Sequence, residues 1–166
     1  MSGGDRLVVV CGLPGAGKTT VAAEIAERID AELLRTDVVR KDVVPEPEYT
    51  PEETRRSYDE LFDRAAAAVA EHGAVVLDGT FRQARYRAEV RAVAGDVGAS
   101  FDLVKVECDE ETVRERITAR EGDESDADFG VHELIREEFE AVSAPDLTVD
   151  NSGDLPETRR QVDAMY

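Results

Sequence analysis

An α/β fold, one parallel sheet covered by helices on both faces, is predicted by three observations. Five short apolar runs alternate with segments of helical spacing. The runs are continuous rather than period-two, as in strands buried on both faces. At 166 residues the chain suits one compact domain, residues 1–166, with no length left for a second of useful size. Strands that alternate with helices imply right-handed crossovers, so the strands run parallel and their carboxyl ends share one edge.

The first run, LVVVC at 7–11, leads into a glycine-rich loop and then into Val21, Ala22, Ile25, Ala26 and Ile29, which share one helical face. Residues 33–34 mark a second strand. PEPEYTPEE at 45–53 holds three prolines, which forbid a continuous helix and make an excursion before the long helix that follows. That helix buries Leu61, Ala65, Ala68 and Val69 and stops at Gly73. Residues 74–77 form the third strand, followed by Val90, Val93 and Ala94 on one helical face. Residues 103–106 form the fourth, followed by Val113 and Ile117. EGDESDADFG at 121–130 reads as a polar loop before a helix with Leu134, Ile135, Phe139 and Val142 on one face. Residues 147–149 make the fifth strand, and a short helix follows.

Charge narrows the partners. Acidic residues outnumber basic ones by 38 to 20, giving a formal net charge of −18; Lys18, Lys41 and Lys105 are the sole lysines. The carboxylates are spread along the whole chain rather than gathered in a tail, which favours adaptation to a high-salt cytoplasm over an acidic patch for a basic partner. The excess also argues against a nucleic-acid substrate. No window approaches a membrane span, and MSGGDR lacks the basic flank and apolar core of a signal peptide. The expectation is a soluble cytoplasmic protein; oligomeric state is not legible. Cys11 and Cys108 end apolar runs without a Cys-x-x-Cys motif and read as buried, reduced thiols. The charge balance carries a testable expectation: the thermal midpoint should rise from dilute buffer to molar potassium chloride as self-repulsion is screened. A flat or falling midpoint would favour the acidic-patch reading.

GLPGAGKTT, residues 12–20, satisfies G-x-x-x-x-G-K-[ST] through Gly12, Gly17, Lys18 and Thr19. Glycines let backbone N–H groups turn inward around an anion, the lysine reaches the outer phosphates and the Thr19 hydroxyl ligates magnesium. A strand precedes the motif and a helix follows, so the helix N-terminus points at the phosphates. Gly15, Ala16 and Thr20 complete the nucleotide-binding set. At the same sheet edge, RTDVVRKD places Asp37 after the second strand with Arg40 one helical turn on, and AVVLDGTF delivers Asp78 after the third. Asp78 suits the second magnesium-holding role; the alternative is a turn or cap aspartate. The alternative for Asp37 is an N-cap of the next helix. Arg116 and Arg120, four apart in RERITAREGD, either neutralise charge on a transferring phosphoryl group or lie on a solvated helix face.

The ordered set GLPGAGKTT, TDVVRK, VVLDGTF, RERITAREGDESDAD and FEAVSAPDLTVDNSGD resembles the small P-loop kinases. These include chloramphenicol phosphotransferase, gluconate kinase, zeta-toxin-like kinases and the AAA-like kinase domains. The resemblance covers nearly the whole chain. It implies a three-layer P-loop kinase fold with a five-stranded parallel sheet in the order 2-3-1-4-5 and a lid at about 114–130. It further implies ATP and Mg2+ as cofactors, and transfer of the γ-phosphoryl group to a small-molecule hydroxyl. In that scheme Asp37 is the base or positioning group for the hydroxyl, Arg40 a substrate or phosphate contact, and Arg116 and Arg120 lid arginines. Residues 150–155 would pass near the nucleotide base. The family does not transmit the acceptor. A polynucleotide 5′-hydroxyl kinase and a nucleotide-binding regulator without chemistry are the alternatives. A GTPase would read guanine with Asn-Lys-x-Asp, but Asn151 is followed by serine; a motor ATPase would carry glutamate after its strand aspartate, but Gly79 follows Asp78.

Overall fold

The computed structural model describes residues 4–13, 15–46, 48, 50–120, 125–142 and 145–166. Five strands, β1 (Arg6–Gly12), β2 (Glu32–Arg35), β3 (Ala74–Asp78), β4 (Ser100–Glu107) and β5 (Leu147–Asp150), form one sheet in the order β2-β3-β1-β4-β5. Every pairing is parallel, as the alternation of strand and helix requires. Among the described residues, seven helices accompany them: α1 (Lys18–Ile29), α2 (Thr36–Val43), α3 (Pro51–His72), α4 (Ala84–Asp96), α5 (Glu110–Arg120), α6 (Ser125–Glu138) and α7 (Leu155–Asp163).

The strand pleat divides the core in two. Leu7, Val9 and Cys11 of β1 join Leu61, Ala65, Val75, Leu77 and Val90 on the face covered by α3 and α4. Val8 and Val10 join Val21, Ile25, Val76 and Val162 on the face covered by α1 and α7. A run that must be apolar at every position follows from this double coverage. The three layers predicted from the sequence are therefore present, with the predicted strand order.

Register decides where the chemistry converges. Val10 of β1 and Arg35 of β2 both align with Asp78 at the end of β3, and β1 continues two residues further to Gly12, opposite Val106. The loop after β1, the last residue of β3 and the turn into α2 thus meet at one edge.

Three boundaries differ from expectation. The proline-rich excursion ends earlier than Glu53, because Pro51 opens α3. Proline at the first helical position loses no intrahelical hydrogen bond, and the Thr50 hydroxyl accepts from the Glu53 N–H at 3.2 Å. The polar segment 121–130 is helical from Ser125 onward; residues 121–124 lie outside the described residues. The expected apolar face of the next helix is split: Leu134 on α6 is 55% exposed, while Phe139 and Val142 lie beyond α6, with Val142 packed against the core on the side of α3 and α4. Among the described residues, no helix is long and apolar enough to cross a membrane.

Past α6 the chain is fastened to α4. Arg87 donates to the carbonyls of Glu140 (2.7 Å) and Ala141 (3.3 Å), and its guanidinium lies 5.4 Å from the centre of the Phe139 ring. The Glu140 N–H also donates to the Arg82 carbonyl at 2.8 Å. Arg87 is therefore a structural staple.

Candidate active site

Gly17, just before α1, has φ 89°. A Cβ there would overlap the Asn151 amide as well as adopting a left-handed backbone, so this position admits only glycine. Behind the loop, Val113 and Ile117 of α5 are fully buried and face Gly15. The loop is thus wedged between α5 and the turn after β5, with its backbone N–H groups at the head of α1.

Lys18 opens α1, half-buried, and its Nζ donates to the Leu13 carbonyl at 3.2 Å. Burial lowers its pKa, with Asp78, Cys11 and Asp37 pulling the other way. An anion seated in the loop would replace the water that the ammonium has lost. The neighbouring Thr19 hydroxyl donates to Asp78 Oδ2 at 2.6 Å. Asp78 is 5% exposed, and its own carbonyl accepts from the Thr36 hydroxyl at 2.9 Å. A Cβ on Gly79 would collide with that hydroxyl, so the place where a hydrolytic ATPase carries its glutamate is closed by α2.

Adjacent hard oxygens from Thr19 and Asp78 fit Mg2+, which binds through one or two protein oxygens and otherwise keeps phosphate and water. Among the described residues no cluster of three or more His, Cys, Asp or Glu side chains could hold a metal without such help.

Asp37 lies in the first turn of α2, with its side chain 67% exposed. It is not the N-cap, a position held by Arg35 without a side-chain cap bond. Arg35 instead links the two carboxylates: one guanidinium nitrogen is 3.1 Å from Asp37 Oδ2, and its Nε is 3.6 Å from Asp78 Oδ2. Arg40, one turn further along α2, donates to the Thr54 hydroxyl at 3.2 Å. Lys18, Thr19, Asp37, Arg40 and Asp78 all line one cavity of about 700 Å³, inside the range of about 300–1,000 Å³ usual for small-molecule sites.

Arg116 does not line that cavity, but its guanidinium lies 3.9 Å from where a Cβ on Gly17 would be, beside the phosphate loop. Its guanidinium donates to the Asn151 carbonyl (2.6 Å), the Gly153 carbonyl (3.2 Å) and the Cys108 sulfur (3.5 Å), against the turn after β5. Arg120 ends α5, and its side chain lies outside the described residues. The same turn borders a second cavity of about 550 Å³, lined among others by Leu13, Ala16, Cys108, Asp150 and Ser152. Cys108 is thus half-exposed rather than buried. Cys11 is buried as expected, and burial pushes its thiol up to about 11, which keeps it protonated and unreactive.

Three residues escape sequence reasoning. Arg35 could have been found from its position one residue after an apolar strand and two before Asp37. Asn151 donates its amide to the Ala16 carbonyl at 2.8 Å and accepts from the Thr158 hydroxyl at 2.5 Å; its signal was a lone asparagine at a strand end. Tyr58 gave none. Its hydroxyl accepts from the Phe81 N–H at 3.1 Å, in a turn where Phe81 has φ 47°. It also stacks on Tyr86 with ring centres 4.1 Å apart. Burial pushes the Tyr58 phenol up to about 12, so it stays neutral. Tyr58→Phe should cost about 1–3 kcal/mol, because the buried N–H of a left-handed residue loses its acceptor. Urea unfolding measures it; an unchanged midpoint would mean that the turn is held by packing alone.

The profile of the AAA_33 family (AAA domain) matches residues 7–142. The uncharacterized protein Rv2004c of Mycobacterium tuberculosis is 31% identical over 134 residues, or 74% of this chain; the chain spans about a quarter, 27%, of that relative's length. Among solved structures, the chain is similar to a gluconokinase from Sinorhizobium meliloti 1021, with a TM-score of 0.75 and 22% identity over 96% of this chain and 90% of that one. It is equally similar to the Mycobacterium tuberculosis APS kinase CysC, in complex with AMPPNP and APS: TM-score 0.76, 20% identity, 97% and 96% coverage. At these identities the likeness concerns the fold. The family match spans most of the sequence, and the chain accordingly belongs to the AAA_33 (AAA domain) family, with the fold of the small P-loop kinases.

Proposed function

We propose that this protein is an ATP-dependent phosphotransferase that moves the γ-phosphoryl group to a hydroxyl of a small molecule. The observation that carries the reading is the shared cavity. The lysine that ends the phosphate loop, Lys18, an oxygen pair suited to Mg2+ (Thr19 and Asp78) and a further carboxylate, Asp37, open onto one space. Gluconokinase and APS kinase, whose fold this chain shares, are both named as kinases, which agrees with it.

The parts divide the work. Backbone N–H groups of residues 15–20 and the Lys18 ammonium bind and orient the phosphates. Thr19 and Asp78 would hold Mg2+, which when bound neutralises charge on the phosphate oxygens. Asp37, solvent-accessible and steadied by Arg35, accepts the proton of the attacking hydroxyl or orients it, while Arg40 holds the acceptor against α2. Catalysis in such a site comes from positioning and charge stabilisation. The turn after β5, clamped by Arg116 and bordering the second cavity, is suited to the base end of the nucleotide.

Acceptor-dependent ADP formation from Mg-ATP, screened over sugars, polyols, nucleosides, antibiotics and 5′-hydroxyl RNA, tests the reading. A small alcohol should release ADP in stoichiometric amount with its phosphate ester. Tight Mg-ATP binding without any acceptor-dependent turnover would identify a regulator instead, and turnover on RNA alone would identify a polynucleotide kinase.

A further inference from the structure

The chain carries 38 acidic and 20 basic residues, yet among the described residues the walls of this cavity present four cations, Lys18, Arg35, Arg40 and Arg82, against two anions, Asp37 and Asp78. The cations are not equivalent. Lys18 belongs to the phosphate loop, and Arg35 is engaged with both carboxylates. Arg40 and Arg82 belong to other elements, one to α2 and one to the turn between β3 and α4: Arg40 donates to the Thr54 hydroxyl at 3.2 Å, and Arg82 is ion-paired with Glu138 at 2.8 Å. Tyr58 and Tyr86 wall the same space, so charge there is less screened than on the open surface.

Resting on the kinase reading above, we propose that the acceptor is itself an anion: a small hydroxylated molecule bearing a carboxylate or phosphate, held by Arg40 and Arg82 with its hydroxyl toward Asp37. A guanidinium fork matches both oxyanions in geometry as well as charge. A locally positive well on a strongly negative protein also draws in substrates that the rest of the surface repels. The transfer balances: the acceptor oxygen forms a bond to the γ-phosphorus, the bond to the β-phosphate oxygen breaks, ADP leaves and the hydroxyl proton passes to Asp37.

Matched pairs of an acid and its neutral counterpart test this at one ionic strength: a six-carbon aldonate and its alditol, glycerate and glycerol, a nucleoside monophosphate and its nucleoside. The thermal midpoint is read with Mg-ADP present, and ADP formation with Mg-ATP. At least one anion should raise the midpoint where its neutral partner does not, and serve as acceptor with a KM lower by about tenfold or more. Arg82→Gln, or Arg40→Gln if the first variant does not fold, should abolish that midpoint shift and raise the anion's KM while the KM for ATP stays put. Neutral members matching the anions, or no anion shifting the midpoint, overturns the inference. So does a variant that weakens ATP instead, since both arginines would then serve the nucleotide. A neutral acceptor that turns over leaves the kinase reading standing; Mg-ATP bound but never turned over with any acceptor removes that reading separately.

Discussion

Lys18→Ala should lose Mg-ATP binding by about 10²–10⁴ while remaining folded, the expected loss of two charge-assisted bonds worth about 1.5–3 kcal/mol each. The fold should survive because Lys18 contributes little to it. Its Nζ reaches a single loop carbonyl at 3.2 Å, and burial disfavours its charge rather than rewarding it. Removing a cation whose charge burial disfavours should therefore cost the fold little. Calorimetric titration with Mg-ATP, paired with thermal unfolding of the nucleotide-free variant, reads both halves. A variant that binds like the parent would remove the phosphate loop from the argument altogether.

Asp37→Asn and Asp78→Asn should fail in different ways. Asparagine at 37 keeps the shape and the bond to Arg35 but cannot take a proton, so acceptor turnover should fall by about 10²–10⁴, the usual worth of a positioned base. Mg-ATP affinity should hardly change, because Asp37 is two-thirds exposed and bonded to Arg35 and its own helix turn, not to Thr19. Asparagine at 78 leaves an oxygen for the Thr19 hydroxyl but removes the negative charge beside it, and the magnesium concentration needed for half-maximal ATP binding should rise. Parental phosphoryl transfer by Asp37→Asn would reduce that residue to a first-turn acid that complements the α2 dipole. Parental magnesium dependence in Asp78→Asn would return Asp78 to a structural role.

The fold was legible because its signals are local and repeated. Continuous apolar runs such as 7–11 and 74–77 need two covering layers, and helical faces such as Val21 to Ile29 supply them. That Lys18, Thr19 and Asp78 would meet was legible because spacing within a motif, or position at a strand end, fixes their placement before any tertiary detail. Arg35 was not: its role is to bridge two carboxylates from neighbouring strands, a relation created by the register of β2 on β3. Tyr58 was hidden for the same reason, since its partner Phe81 is 23 residues away across two layers. Arg116 kept a neighbour that sequence could not show: its guanidinium lies beside Gly17 of the loop but donates to carbonyls of the turn after β5, 35 residues on. Segment 121–130 misled because composition dominated the reading; SDADFG is polar yet helical.

The Asn151 amide gives the phosphate grip an unexpected outline. It fastens residue 16 to residue 151, 135 positions apart, and is itself locked by Thr158 of the last helix. The family profile ends at residue 142, short of both. Homology boundary and working unit therefore do not coincide: a fragment trimmed to the matched region would retain every letter of the loop motif yet lose the brace that sets its curvature. The tail of the chain is, in functional terms, part of its beginning.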